Sequence, residues 1–398
     1  MSFLKRLGYA FGSLLVFIFA CQDSFEFSTD SNDKLAFTTD TLRFDTVFTE
    51  VGSATRSFKI KNPTNKPLQI SRIFLANKTS AIFNLNIDGV AGRSFKDVEI
   101  LPNDSLYVFA EVTINPNAPL SISPFVISED LVFETNGNSQ KVVLEAWGQN
   151  ANYIPSRFSA GGFALISGGN NLNTVVNFDD AKPYVIYGGL LLDSCIVRIA
   201  PGTRFYFHGG IGVFPDGDDY RDGIFIVQRN AKLEANGTLE KPIIFQSDRL
   251  ESEFEKESDL WFGVVNSSER SGNVMTHTTI RNSRVGISVD SAANLTLRNC
   301  KIFNTGGSGL VASRARVTAE NCLFYNTGGN AVQISYGGDY DFKYCTLSGI
   351  GSKEAALSLD NFRCALRDDF GQCVQGRVFR LNFSATNCAI YGSKEDEI

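Results

Sequence analysis

The chain holds two histidines among 398 residues, a fifth of it is charged, and basic residues do not cluster beyond the first few positions. His208 and His277 lie far apart without neighbours suited to a nucleophilic triad or a zinc site. A net charge of −6 and an isoelectric point near 5.2 argue against partners held by bulk positive charge, nucleic acid above all. The apolar run Leu14–Ala20 is too short to span a bilayer by itself. Helical periodicity is missing along the later half, and no cysteine falls between Leu35 and Gln149, so a disulfide cannot brace that region. What is abundant is phenylalanine (33) and glycine (35), a pairing suited to pleated strands and tight corners.

The repeat in the later half decides the fold. RNCKIFNTGG, starting at Arg298, returns as ENCLFYNTGG, starting at Glu320. Aligned on this phrase, Thr278, Cys300, Cys322, Cys345 and Cys388 are separated by 22, 22, 23 and 43 residues, the last being two periods with an insertion. Two residues beyond each stands Ile280, Ile302, Phe324, Leu347 or Ile390. Residues two apart on a strand share a face, so both sets point inward from stacked strands. A 22-residue period without helical pattern predicts one turn of a parallel β-helix. The cysteines Cys300, Cys322, Cys345 and Cys388 then form an inward packing ladder rather than a metal site. Asn282, Asn304 and Asn326 form a second ladder at the following corner, where asparagine tolerates left-handed backbone and stacked amides bond from coil to coil. The Gly-Gly pairs at 306–307 and 328–329 turn the chain into the next strand.

Upstream, CIVRIAPGTRFYF (Cys195–Phe207), AKLEANGTLEKPIIFQS (Ala231–Ser247) and WFGVV (Trp261–Val265) resemble the first coils of right-handed parallel β-helices of the pectin-lyase-like superfamily. That resemblance covers about half the chain and speaks for fold more than for activity. Before it, short alternating runs such as Ser57–Lys61, Leu68–Leu75 and Leu106–Ile114, and a hairpin signal at Asn136-Gly137, predict an immunoglobulin-like β-sandwich. Ile18-Phe19-Ala20-Cys21 resembles a bacterial lipobox, with Cys21 as the lipidated residue and a polar tether behind it. Together these features resemble the surface lipoproteins of Bacteroidota. The expected organisation is an all-β protein with signal peptide 1–20, tether 21–34, sandwich 35–150, linker or N-terminal cap 151–183, and β-helix 184–398. The charged end, Lys394–Ile398, reads as a minimal cap, as the seat of a partner, or as a truncation.

Candidate chemistry is sparse. Asp216, Asp218 and Asp222 sit in a glycine-containing acidic loop that could hold Ca²⁺, with a solvated loop as the alternative. Arg281, Arg284, Arg298, Arg314 and Arg316 are candidate proton acceptors or contacts for a uronate carboxylate, while Asp290, Glu320, Asp339 and Asp341 are scattered over different coils. Cys364 and Cys373 are the candidate disulfide, bracing a loop whose Arg367, Asp368, Asp369 and Phe370 would meet a partner. The reading these features favour is a non-enzymatic, lipid-anchored outer-membrane or cell-surface scaffold, binding an outer-membrane protein or surface polysaccharide and needing no cofactor. The alternative is a calcium-dependent polysaccharide lyase or glycoside hydrolase acting on uronate-containing glycans.

Overall fold

A computed structural model describes residues 26–48, 53, 55–76, 82–114, 125–154, 163–213, 219–368 and 370–398. Cys21 and its surroundings lie outside the described residues. The chain divides into two compact units, Met1–Gln149 and Asn150–Ile398.

The first unit is a β-sandwich. One sheet is wholly antiparallel and runs in the order Ala36–Phe37, Arg56–Lys61, Ser105–Thr113, Ile82–Ile87, Val90–Gly92. The other runs Thr41–Phe48, Asn138–Gln149, Phe125–Thr135, Leu68–Leu75, Ser94–Ile100, its first pair being parallel. Alternation supplies the core: Phe58 and Ile60 from one sheet face Leu68, Ile70 and Phe133 from the other, all buried. Asn136 and Gly137 both adopt positive φ (50° and 77°) between paired Thr135 and Asn138, as a two-residue hairpin requires. Asn62 is buried at the Asn-Pro break, and its amide donates to the carbonyls of Lys66, Ile100 and Leu101. That turn is therefore tied across the end of the sandwich.

The second unit is a right-handed parallel β-helix, as the repeat predicts. One sheet stacks nine strands: Asn152–Ile154, Tyr184–Tyr187, Arg204–His208, Ile243–Ser247, Thr278–Arg281, Lys301–Thr305, Leu323–Thr327, Thr346–Gly349 and Ala389–Gly392. All its pairs are parallel. The remaining strands form two further ladders. These merge where Leu310–Glu320 and Val332–Lys343 run through both, bending at Arg314 and at Tyr336-Gly337-Gly338, all with positive φ. Residues 151–183, expected as a linker or cap, supply Asn152–Ile154, Phe163–Ser167 and Val175–Phe178, each paired in parallel with the coil above. They form a coil of the helix itself, because their alternation continues the inward set through Phe178.

The inward ladder read from the repeat is present, and the asparagine corner recurs with one amide hydrogen bond from coil to coil. Thr278, Cys300, Cys322 and Cys345 are buried, as are Ile280, Ile302, Phe324 and Leu347, while Cys388 and Ile390 are partly buried on the last coil. Hydrogen bonding to Cys322, then burial, pushes the Cys345 thiol up, so it is held as a neutral packing group. Asn282, Asn304 and Asn326 have φ of 64°, 52° and 50°. Asn326 donates to Asn304 Oδ1 at 2.6 Å, and the Asn304 amide continues to the Glu255 carbonyl at 3.1 Å. Asn304→Ala should cost roughly 2–3 kcal/mol, combining a left-handed residue without its preference and two lost hydrogen bonds. Asn304→Gly should recover the backbone share alone; urea unfolding of both variants separates the two parts.

Tyr340 sits at the bend of Val332–Lys343, its hydroxyl donating to the Gly337 carbonyl at 2.9 Å and accepting from the Ala315 N–H at 3.3 Å. Burial pushes its phenol up to about 12. An unfolded tyrosine ionises near pH 10, so this stabilisation is complete below that value and declines as pH rises toward 12. Unfolding measured across that window should show Tyr340→Phe losing stability less steeply than the parent, by up to about one proton's worth.

Candidate functional site

The nine-strand sheet turns alternate residues inward and outward. In Arg204–His208, Phe205 and Phe207 enter the core, while Arg204, Tyr206 and His208 point to the other side, where Tyr206 is itself covered and 6% exposed. Parallel register then lines up Tyr206, Gln246, Arg281, Phe303 and Tyr325 along the outer face. Arg281 Nε donates to Gln246 Oε1 at 2.8 Å, and the rings of Phe303 and Tyr325 stack at 4.7 Å and 14°. Burial raises both the Tyr206 and the Tyr325 phenols, opposed at Tyr206 by the positive charge of Arg204 and then of Arg281, and at Tyr325 by that of Arg281. Two guanidiniums therefore stand along the aromatic row. Beside it, along the starting edge of the strands, a groove of about 650 Å³ is lined by Leu239, Thr279, Lys301, Leu323, Tyr344 and Thr346.

At the other edge, His208 Nδ1 lies 2.6 Å from Asp248 Oδ2. The imidazole stacks on Tyr187 at 4.2 Å and 9°, which fixes its plane. The His208 side chain is 34% exposed and that of Asp248 11%, so the carboxylate is sheltered and the ring reachable. A neutral imidazole donating Nδ1–H to Asp248 leaves the Nε2 lone pair available as a base. The pair is neither a nucleophilic triad nor a zinc site; it is a carboxylate partner that sequence reasoning missed. Forty residues of chain separate the two, but coil closure brings them together: the Asp248 N–H bonds to the Phe207 carbonyl, extending the ladder by one residue. The signal was present in the sequence. His208 follows Phe205 by three positions and Asp248 follows Phe245 by three, and those phenylalanines are register partners.

Two insertions leave the sheet at this edge. The segment after His208 forms the antiparallel pair Ile211–Val213 and Asp219–Arg221. The segment after Ser247 carries a 3-10 turn, Ser252–Phe254, and is held to the asparagine corner by Asn282, whose amide reaches the carbonyls of Phe254, Glu255 and Glu257. They meet at Trp261. Its ring is fully buried, stacks on Phe207 at 4.2 Å and 4°, and donates Nε1–H to the Arg281 carbonyl at 2.8 Å. Gly223 (φ 79°) passes so close that a Cβ there would lie 2.8 Å from Trp261 Cβ.

The remaining candidates separate cleanly. Of the arginines, Arg281 alone occupies the outer row; Arg284, Arg298 and Arg316 pair with Asp259, Glu320 and Asp339, and Arg314 lies over Phe379. Asp290 is hydrogen-bonded by Ser267, and Asp341 pairs with Lys343. Asp216 and Asp218 lie outside the described residues, whereas Asp222 is buried at the turn before Gly223, whose N–H bonds to its carboxylate. Among the described residues no three His, Cys, Asp or Glu side chains are grouped to hold a metal ion. Cys364 and Cys373 are joined in a disulfide across the hairpin Phe362–Arg367 and Cys373–Val378. At its tip Asp368 accepts from the N–H groups of Phe370 and Gln372, and Phe370 is 91% exposed, while Asp369 lies outside the described residues. That hairpin springs from another ladder, several coils from His208.

The fold and its outer cleft define a right-handed parallel β-helix protein. A family model described as a right-handed beta helix region matches residues 219–368. No curated protein matches the chain. Among solved structures, the chain is similar to a protein of unknown function from Porphyromonas gingivalis W83 at 13% identity and TM-score 0.22, covering 33% of this chain and 58% of that one. It is similar to the catalytic unit of a GH87 α-1,3-glucanase from Streptomyces thermodiastaticus strain HF3-3 at 10% identity and TM-score 0.23, covering 85% and 61%. A family 123 glycoside hydrolase from Clostridium perfringens is similar at 7% identity and TM-score 0.23, covering 65% and 67%. The chain spans less than two thirds of the length of the first two. Two of these solved structures are named as glycoside hydrolases, which is said of those proteins. The expectation of a non-enzymatic scaffold is corrected by this chain's own residues, because a histidine held by a sheltered carboxylate at the edge of the outward row is equipped to move a proton. At such identities and TM-scores the likenesses leave the reaction and the substrate to the residues of the site.

Proposed function

We propose that the protein is a polysaccharide lyase acting on a uronate-containing glycan, with its active site on the outer face of the nine-strand sheet. The observation that carries this reading is the His208–Asp248 pair at the edge of a row that holds Arg281 between tyrosine and phenylalanine rings. The uncovered surface of the Phe303–Tyr325 stack offers apolar contact to a sugar, and a guanidinium donates to a carboxylate in a planar, two-point contact. Arg281 stands two strand spacings, about 10 Å, from the strand of His208, and since the carboxylate is borne by the carbon that loses its proton, the two side chains converge on one C5–C6 unit between them.

In this geometry Arg281 draws electron density from the uronate carboxylate and acidifies the C5–H. His208 Nε2 takes that proton while Nδ1–H remains donated to Asp248. The electron pair left on C5 forms the C4=C5 double bond, and the C4–O glycosidic bond breaks. The departing oxygen takes a proton from the imidazolium of His208, which restores the base. Hydrolysis would need two carboxylates flanking the scissile bond, and Asp248, the acid in register with the outward row, is already engaged with His208. We further infer that Cys21 anchors the chain by lipid in the bacterial envelope, facing surface polysaccharide, and that the sandwich is an immunoglobulin-like module. The support for the anchor is the Ile18–Cys21 sequence, and for the module the strand pattern with its Asn-Gly hairpin.

The test incubates the full chain with polygalacturonate, alginate and glycosaminoglycans, in calcium and in chelator, and follows the ultraviolet absorbance of the unsaturated uronate. Absorbance rising on one of these supports the reading. New reducing ends without absorbance, or no cleavage of any acidic glycan, overturns it.

A further inference from the structure

The sandwich carries its own exposed aromatic surface. Ser105–Thr113 lies in the middle of the antiparallel sheet and turns Tyr107, Phe109 and Glu111 outward in a line. Tyr107 and Phe109 are 47% and 40% exposed, and their rings stack nearly parallel on one another, 5.6 Å apart at 19°. Alternation does not require large rings at outward positions; a β-strand facing water is served equally well by threonine or lysine. The strip is flanked on both sides by polar groups in register. Lys59, opposite Tyr107, places its ammonium 4.5 Å from that ring, and Ser57 is opposite Phe109. Across the strip Asn86 faces Phe109 and Asn84 faces Glu111. Thr55 donates to the Glu111 carboxylate. Between them lies a groove of about 450 Å³ lined by Thr55, Asn84, Asn86, Phe109 and Glu111. Among the described residues neither Asn84 nor Asn86 has a side-chain hydrogen-bond partner within the protein.

We propose that this face is a glycan-binding site, separate from the cleft of the β-helix, which takes a polysaccharide segment lying along Ser105–Thr113. A pyranose ring presents an apolar C–H face and a rim of hydroxyls. The Phe109 ring, which lines the groove and is backed by Tyr107, suits the first, and flanking amides, a hydroxyl and a carboxylate suit the second. One sugar of the segment would rest against Phe109 in the groove, while Tyr107, stacked behind it and covered by Lys59, holds that ring in place. A protein partner would be expected to meet a broader apolar centre with polar groups confined to its rim. Here the polar groups alternate with the rings over a width of three strands. Lys59 and Glu111 leave the face without a dominant charge, so binding should be carried by stacking and depend little on salt. The proposal does not depend on the reaction assigned to His208, since it concerns retention and not turnover.

The experiment is affinity electrophoresis of the full chain through gels containing hydroxyethyl cellulose, xylan, laminarin or polygalacturonate, at low and high salt. The unsubstituted chain should be retarded by at least one of them. Tyr107→Ala combined with Phe109→Ala should weaken that retention about tenfold or more. Tyr107→Phe, which keeps the ring, should retain most of it, and Asn84→Ala should weaken it less than the double substitution. The double variant should unfold at an unchanged denaturant midpoint and keep its turnover on short soluble oligosaccharides, because its two side chains lie on the surface of the sandwich. Retention unaltered by the double substitution, retention abolished by salt, or no retention in any gel would each overturn the proposal. Loss of lyase activity in the His208→Gln variant with retention intact leaves this site standing, and loss of retention with activity intact leaves the cleft standing.

Discussion

His208→Gln should lower kcat on a uronate polymer by about 10²–10⁴-fold, with KM nearly unchanged. Glutamine keeps a polar group near Asp248 but has no lone pair basic enough to take a carbon-bound proton. Substrate would still rest on Phe303 and Tyr325 and against Arg281, which lie in other coils. Asp248→Asn should cost about 10²-fold or more by a different route. An amide beside Nδ1 no longer favours the tautomer that leaves Nε2 free, and it cannot balance the imidazolium that forms. Steady-state rates of unsaturated-product formation check both. Since His208 is 34% exposed in its side chain, neither change should move the unfolding midpoint far, which separates a chemical role from a structural one. A His208→Gln enzyme as fast as the parent would remove this residue from the mechanism, and with it the lyase reading.

The largest stability effect expected anywhere in the β-helix is at Trp261. Trp261→Ala should destabilise the β-helix by about 3–5 kcal/mol, measured by urea or guanidinium unfolding. The indole is fully buried against Phe207, and its volume cannot be refilled easily, because Gly223 and the coil beneath are already in contact with it. Trp261→Phe should keep the stack and cost less, roughly 1–3 kcal/mol, mainly for leaving the Arg281 carbonyl without its donor. The same bond makes a functional prediction. Trp261 holds the backbone of Arg281 and lies against the strand of His208, so the phenylalanine variant should also show a raised KM as the guanidinium loses its setting.

Much of the second unit was legible because stacking imposes a one-to-one pattern on sequence. Cys300, Cys322 and Cys345 recur because each coil places one small apolar side chain in the same inward slot. Asn282, Asn304 and Asn326 recur because the corner demands positive φ at each turn. Where a coil departs from the period, legibility failed. The strands Asn152–Ile154, Phe163–Ser167 and Val175–Phe178 lack the repeated phrase, so the sequence predicts a linker or N-terminal cap there, although they pair along their lengths with the next coil. The two insertions beside His208 had the same effect, hiding the register that joins it to Asp248.

By itself, then, the sequence determined the period, the inward and outward faces, the corner asparagines and the sandwich that precedes them. Each of these follows from local rules: side chains alternate along a strand, and left-handed corners select asparagine or glycine. Only the tertiary structure decided which outward residues meet. Tyr187, His208 and Asp248 come from three successive coils, and Tyr206, Gln246, Arg281, Phe303 and Tyr325 from five. Their proximity depends on how many residues each coil and each insertion consumes before the chain returns to the same sheet. That count is set by closure of the whole turn around the phenylalanine core, and no short stretch of sequence contains it.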